Sequence, residues 1–265
     1  MTRLVAASIR NGFGQAPKAG PFSLLFDPDS DNIWRNYAVP DQGATPSAAD
    51  VTALVVAFLE RGRRPRLEYV PADAPDVESV LVAEGFTVEG RPPLMVCRPG
   101  DLPAPAAVEG IVVSLLTEDA DLLELAGVQN VAYGGTEPGD ASDVARFRRL
   151  LDKGGIVVGA RDAATGAVVG GGLCTAPVDG VSELAAVAVA APYRRRGIAG
   201  AVVTALAAAS HDGGARLVWL EPAGEREAAI YARAGFAADG EKLWISLPDA
   251  GWVGGAGEFD HGATG

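Results

Sequence analysis

The chain has 265 residues, a formal net charge of −12 and 48% hydrophobic residues. This length is sufficient for two modest domains or one large domain with a packed core. The acidic balance argues against general nucleic-acid binding, and no uninterrupted apolar run approaches the roughly 20 residues of a membrane span. A protonated amine would suit an acidic cleft, although solubility alone also accounts for this charge.

Two further features bear on the cellular compartment. The first residues contain no long apolar segment with a cleavage site, so we expect no signal peptide. Cys97 and Cys174 lie far apart in apolar, strand-like runs without metal-ligand spacing. This pattern predicts two buried free thiols and no metal site. We therefore expect a cytoplasmic protein that binds neither membranes nor nucleic acid.

The first half of the chain alternates helices and strands. Apolar periodicity predicts a helix over 47–61, a strand over 66–70 and a second helix over 75–83. Gly85 and Phe86 follow this helix, and 94–97 is again typical of a strand. The stretch 98–107 is rich in proline and small residues, which indicates a linker.

The second half begins with a predicted strand over 111–115. Thr117 is the expected N-cap of a helix that runs to about 131, and a second helix is expected over 142–151. A hairpin is predicted for 156–160 and 167–175, followed by a strand over 181–190. The three glycines at 170–172 indicate a bulge or a close approach of backbones inside the hairpin.

A basic turn joins that last strand to an alanine-rich helix. Its residues are Arg194, Arg195, Arg196, Gly197, Ile198, Ala199 and Gly200. A helix N-terminus has unpaired N–H groups and the positive end of the helix dipole, so it binds phosphate readily. Small residues let a pyrophosphate lie against the backbone. This turn therefore predicts a phosphate-binding loop.

A second motif lies downstream of the loop. A strand is predicted over 217–220 and a helix over 225–234. The helix ends in the pattern Tyr-x-x-x-Gly-Phe, in which the tyrosine is Tyr231 and the glycine is Gly235. A further strand is predicted over 242–247.

The two motifs, at this separation, resemble the GNAT (GCN5-related N-acetyltransferase) superfamily, whose pyrophosphate loop reads R/Q-x-x-G-x-G/A. The resemblance implies a mixed α/β (α+β) fold over 106–248. Its central sheet would be mixed and mostly antiparallel, with helices on its faces and the strand 242–247 as the closing strand. The helix-Gly-Phe-strand pattern at Gly85 repeats the one at Gly235. Residues 1–105 therefore resemble a degenerate GNAT-like domain, and the chain a tandem of two GNAT-like units.

The first half departs from the family pattern at two points. The segment before its helix, 41–46, contains no arginine and does not match the loop motif. Leu81 occupies the position four residues before Gly85, where the family pattern has a tyrosine. We therefore expect no acetyl-CoA binding in 1–105. Residues 249–265 are glycine-rich and polar, and are expected to be a disordered tail.

The resemblance implies an N-acetyltransferase, an acyltransferase that moves acetyl from acetyl-CoA to a primary amine by direct attack in a ternary complex. No metal is implied, the acceptor is a small molecule or a peptide, and a homodimer is left open. Two alternatives remain. The donor could be another short acyl-CoA, or the chain could be a regulatory module that binds CoA without turnover.

The resemblance also assigns site residues. The loop 194–200 would bind the pyrophosphate, with at least one of its arginines adding side-chain charge. A strand that splays after Val187 would offer backbone N–H groups near Ala188 and Val189 to pantetheine and to the acetyl oxygen. These strand residues and Tyr231 complete the cofactor-binding set.

The expected catalytic residues are Tyr231 and Glu183. Tyr231 is the candidate general acid toward the thiolate, and the alternative is that it only packs against the cofactor. Glu183 is the preferred general base, with Glu221 as the other candidate. Tyr133 and Glu221 are expected to line the acceptor site.

Overall fold

The computed structural model describes residues 1–12, 14, 16–28 and 31–248. These residues form two compact units. Unit 1 combines 1–95 with 221–224 and 238–248, and unit 2 combines 96–220 with 225–237. The predicted tail 249–265 lies outside the described residues.

The helices and strands alternate along the chain. The helices are α1 (Thr2–Gly12), α2 (Ala48–Leu59), α3 (Val77–Ala83), α4 (Asp119–Ala132), α5 (Ala141–Asp152), α6 (Ile198–Asp212) and α7 (Glu225–Arg233). The strands are β1 (Lys18–Ala19), β2 (Phe22–Leu25), β3 (Tyr37–Pro40), β4 (Arg66–Tyr69), β5 (Thr87–Gly90), β6 (Pro93–Cys97), β7 (Ile111–Leu115), β8 (Ile156–Asp162), β9 (Val168–Cys174), β10 (Val181–Val189), β11 (Leu217–Leu220), β12 (Ala237–Glu241) and β13 (Leu243–Ser246). Two mixed sheets with helices result, as the resemblance implies.

The sheet of unit 1 has the strand order β1-β2-β3-β4-β13-β5. Within this sheet only the pair β3 and β4 is parallel, with Ala38 opposite Leu67. Helix α2 starts at a capping box, in which the Ser47 side chain accepts from the N–H of Asp50 and the Asp50 carboxylate accepts from the N–H of Ser47. Its Leu54 and Phe58 are fully buried in the core of this unit.

The second sheet has the order β12-β6-β11-β10-β9-β8-β7. Strands β7 to β10 are successively antiparallel, and β10 is parallel to β11. A Cβ on Gly171 would lie 2.5 Å from the Val158 carbonyl oxygen and 2.7 Å from Leu125 of α4. A Cβ on Gly172 would lie 3.0 Å from Leu206 of α6. Neighbouring strand residues point to opposite faces, so α4 and α6 cover the two faces of β9. The glycines permit this close packing, as their position in the strand suggests.

The structure corrects two local predictions. The residue before α4 is Glu118, whose side chain makes no capping bond, so Thr117 is not the N-cap of that helix. The strand predicted over 242–247 is β13, and it pairs with β4 and β5 in unit 1. It therefore does not close the sheet of the second half, and the compact units interleave in the sequence. The predicted domains, 1–105 and 106–248, are instead two consecutive segments of the chain.

The two cysteines behave as the sequence predicts. Both Cys97 and Cys174 are buried free thiols. Desolvation raises the pKa of Cys97 to about 11 and that of Cys174 to about 12. Neither thiol is thus activated as a nucleophile at neutral pH. In the part of the chain that the structure describes, no helix has the length and apolarity to cross a membrane.

Candidate active site

Strand β10 separates from β11 partway along its length. Their parallel register runs from Val181 opposite Leu217 to Glu183 opposite Trp219, whereas β10 continues to Val189. The edge of β10 beyond Glu183 is therefore not paired with β11. The sequence suggests a splay after Val187, but the two strands part after Glu183.

On its other side, β10 carries a β-bulge. Between Ala185 and Ala188 the register with β9 shifts, so that β10 has one residue more than its partner. Ala186 has φ of 56°, in the left-handed region that residues other than glycine seldom adopt. The residues outside regular pairing are thus Ala186 and Val187, just before the predicted Ala188 and Val189. The latter two are in register with β9.

Helix α4 contacts the carbonyl groups of this bulge. The side-chain amide of Gln129 donates to the Ala186 oxygen at 2.7 Å. The hydroxyl of Tyr133, the residue that ends the helix, donates to the Val187 oxygen at 3.3 Å. Gln129 is a site residue that sequence reasoning missed. Its spacing from Tyr133 places both on one helix face, but nothing local indicates which strand that face meets.

The predicted phosphate-binding loop has the backbone that the prediction requires. Arg195 has φ of 63° and Gly197 φ of 85°, and Gly197 is the N-cap of α6 without a side-chain cap. The first backbone hydrogen bond of α6 runs from the N–H of Ala201 to the Gly197 oxygen. The N–H groups of the three preceding residues have no acceptor within the helix. The loop can therefore offer several amides to an anion.

The three arginines of the loop have different surroundings. Arg194 Nε donates to the Val189 oxygen at 3.0 Å, and Arg196 Nη2 donates to the Glu109 oxygen at 2.9 Å. Both side chains tie the loop to neighbouring backbone. Among the described residues, the exposed Arg195 guanidinium has no such bond, so its charge is available to a ligand. A cavity of about 480 Å³ lies beside Arg196 and is lined also by 108–110.

Tyr231 lies on α7 with its ring centroid 6.4 Å from that of Phe236. Desolvation raises the pKa of Tyr231 above its usual value, and the neighbouring Tyr133 and Glu227 add to this rise. Desolvation also raises the pKa of Tyr133 to about 12, although 45% of this residue is exposed. Both phenols are therefore protonated at neutral pH. The structure brings Tyr133, the bulge and Tyr231 into one region of unit 2.

The two glutamates have different surroundings. Glu183 is half-buried on β10, and its N–H donates to Thr175 Oγ1 at 3.0 Å. Its role as base stays a prediction. Glu221 belongs to unit 1, where Trp244 Nε1 donates to its Oε2 at 3.1 Å and Lys242 binds its Oε1. Both oxygens of Glu221 thus have partners within unit 1, which argues against its predicted role in acceptor binding. Across the described residues, no group of His, Cys, Asp and Glu side chains is arranged to hold a metal ion.

Comparison with known proteins agrees with this geometry. Residues 122–236 match the model of the acetyltransferase (GNAT) family. No curated protein matches the sequence. Among solved structures, a GCN5-related N-acetyltransferase from Kribbella flavida is 26% identical, with a TM-score of 0.75 over 94% of this chain and 96% of that chain.

Two more distant structures share the fold. A GCN5-related N-acetyltransferase from Sphaerobacter thermophilus is 18% identical, with a TM-score of 0.60 over 94% of this chain and 92% of that one. A tandem GNAT protein from the clavulanic acid biosynthesis pathway is 15% identical, with a TM-score of 0.58 over 81% of this chain and 76% of its own. The fold is thus that of a protein with two GNAT-like units. The residues that match the GNAT family model, 122–236, contain the bulge, the basic loop and Tyr231.

Proposed function

We propose that unit 2 is an N-acetyltransferase that transfers the acetyl group of acetyl-CoA to a primary amine by direct attack in a ternary complex. One observation carries this proposal. The unpaired edge of β10 beyond Glu183 leads directly into the basic loop and the N-terminus of α6. An extended amide chain can pair with such an edge while its pyrophosphate lies at the loop.

The loop fits an anionic ligand through both backbone and side chain. Its amides and the Arg195 guanidinium bind pyrophosphate, and the cavity beside Arg196 has room for the nucleoside end. Arg194 and Arg196 hold the loop in place through Val189 and Glu109. The bulge then orients the thioester, since the Val187 N–H donates to the carbonyl oxygen as negative charge develops there.

The chemistry requires two proton transfers. The amine nitrogen forms a bond to the acetyl carbon, the carbon–sulfur bond breaks, and CoA leaves as a thiolate. Tyr231 donates its phenolic proton to that sulfur, because its raised pKa keeps the phenol protonated. Glu183 accepts the amine proton, directly or through water. Tyr133 lies beside the bulge, where it contacts the acceptor, a small-molecule or peptide amine.

Calorimetric titration of acetyl-CoA into the full-length protein tests this proposal. The key variant is Gly197→Glu, which puts bulk and negative charge at the loop. Gly43→Glu is the matched control, because Gly43 also has positive φ (64°) and open space, but lies in the arginine-free loop of unit 1. Both variants place a side chain at positive φ and carry the same change in charge. Truncation of the second half is a poorer control, since it removes β13 from the sheet of unit 1.

We expect binding at one site per chain, lost in Gly197→Glu and retained in Gly43→Glu. Release of CoA thiol with a panel of amines then separates an enzyme from a module that only binds CoA. Affinity unchanged in Gly197→Glu, or no binding by the wild type, would contradict the assignment. Binding without turnover on any amine would favour the regulatory alternative, and turnover only with other acyl-CoA donors would change the donor.

A further inference from the structure

The bulge on β10 adopts a backbone conformation that its own residues do not favour. Ala186 has positive φ without being glycine, so the conformation needs support from its surroundings. Across the ladder the bulge faces Gly172, whose absent Cβ would lie 3.2 Å from Val187 Cγ2. Gly172 thus leaves room for the bulge, but it does not hold the bulge in one orientation.

Gln129 supplies the support. It is 3% exposed, and its amide reaches the Ala186 oxygen at 2.7 Å from a helix 57 residues away in the sequence. Tyr133, one helical turn further on, donates to the next carbonyl, that of Val187. Two successive carbonyls of the bulge therefore bond to one face of α4.

The planarity of the peptide bond determines the direction of the N–H. The Ala186 carbonyl and the Val187 N–H belong to one trans peptide, so they point in opposite directions. Because Gln129 holds that carbonyl toward α4, it directs the Val187 N–H away from α4. Rotation of this peptide would turn the donor away from its present direction.

We propose that Gln129 is a positioning residue for acyl transfer, which aims the Val187 N–H at the thioester oxygen through its hydrogen bond to Ala186. The inference rests on the proposed function, because it assigns an acetyl-transfer role to that N–H. Gln129 does not touch the substrate in this account. Its contribution should therefore appear in kcat, while the affinity for acetyl-CoA, set largely by the loop, changes little.

Two substitutions of similar size separate positioning from packing. Gln129→Met keeps the volume and removes the donor. Gln129→Glu can donate only while its carboxyl is protonated, and burial raises the pKa of such a group. The control is Asn130→Leu, which removes a different amide bond of α4, from Asn130 to Asp143 at 3.2 Å.

For Gln129→Met we expect kcat to fall by about 10- to 100-fold, with acetyl-CoA affinity within about threefold of wild type. For Gln129→Glu, the ratio of its kcat to that of the wild type should approach unity at low pH and fall as the carboxyl ionises. The titratable and charged groups on the packed elements, among them Glu124, Tyr133, Asp143, Arg146 and Glu183, are common to both proteins, so the ratio largely cancels them. Asn130→Leu should keep kcat within about threefold.

The outcomes are distinguishable. If the wild type neither binds nor turns over acetyl-CoA, the proposed function fails. If the wild type is active and Gln129→Met keeps its kcat, the positioning role is wrong although the function stands. The positioning role is also wrong if thermal unfolding shows that Gln129→Met and Asn130→Leu lose stability and kcat in parallel, or if the ratio for Gln129→Glu rises as the carboxyl ionises.

Discussion

Removal of Lys242 should strongly destabilise unit 1. It is 4% exposed, and its Nζ binds Glu68 Oε2 at 3.0 Å and also Glu221 Oε1. Arg66, which is fully buried, pairs with Glu68 and Glu89 but not with Glu221. Lys242→Met keeps an aliphatic chain there and leaves the Glu221 carboxylate, which is only 15% exposed, without its cation. Breaking a buried pair in this way costs about 3–5 kcal/mol of unfolding free energy.

This loss of unfolding free energy, the deficit of Lys242→Met, should depend on pH. In the wild type, desolvation together with Glu68 raises the pKa of Glu221, while Lys242 opposes the rise. Without Lys242 the pKa of Glu221 rises further. A carboxyl whose pKa is higher in the folded state binds more protons there, so its unfavourable contribution is relieved as the pH falls. The deficit of Lys242→Met should therefore be smaller at pH 5 than at pH 8.

Chemical denaturation followed by tryptophan fluorescence measures this deficit, since Trp34 and Trp244 both contact Arg66 of the same network. Arg91→Met is the matched control. Arg91 also bridges two glutamates, Glu78 and Glu241, but its side chain is 38% exposed. Exposed ion pairs contribute about 0–1 kcal/mol, so this variant should lose little. Equal losses in the two variants, or a larger Lys242→Met deficit at pH 5, would refute the reasoning.

The remaining predictions concern unit 2. Tyr231→Phe should lower kcat by at least about tenfold in steady-state kinetics, while acetyl-CoA affinity measured by calorimetry stays within about twofold. Unchanged turnover would mean that Tyr231 only packs against the cofactor. Because burial raises the pKa of Tyr231, wild-type activity should also show no loss from phenol ionisation below about pH 10. Gly171→Ala should destabilise the protein by about 1–3 kcal/mol or prevent folding, since its Cβ would lie 2.5 Å from the Val158 oxygen. A Cβ on Gly200 would have no atom within 4 Å, so Gly200→Ala should be neutral or stabilising in thermal unfolding. An equal loss of stability in Gly171→Ala and Gly200→Ala would exclude steric crowding as the cause.

The parts of the site that the sequence predicts are those built from neighbouring residues. The strand, basic turn and helix at 181–212 are recognisable because apolar runs, Gly197 and the small residues after it act over a few positions. Tyr231 is recognisable for the same reason, through its spacing from Gly235 and Phe236. The buried state of both cysteines also follows from their apolar neighbours.

The contacts that sequence reasoning did not foresee depend on distant partners. Glu221 ends a strand, where a carboxylate ordinarily faces solvent or a cleft. Its actual partners, Lys242 and Trp244, lie on or beside a strand that crosses to the sheet of unit 1. Gln129 was missed because its carbonyl partner is 57 residues away. No local pattern reports either pairing.

The amino-acid sequence by itself determined the order of most helices and strands, the family motifs and the backbone of the basic loop. These depend on propensities and on conformations, such as the positive φ of Gly197, that a few adjacent residues specify. Tertiary structure alone decided where β10 leaves β11, which residues form the bulge, and which sheet receives β13. Each of these is a choice of register or partner between segments far apart in the chain. Such choices depend on how side chains pack once the chain is folded, because the backbone of a strand offers the same hydrogen bonds at every register.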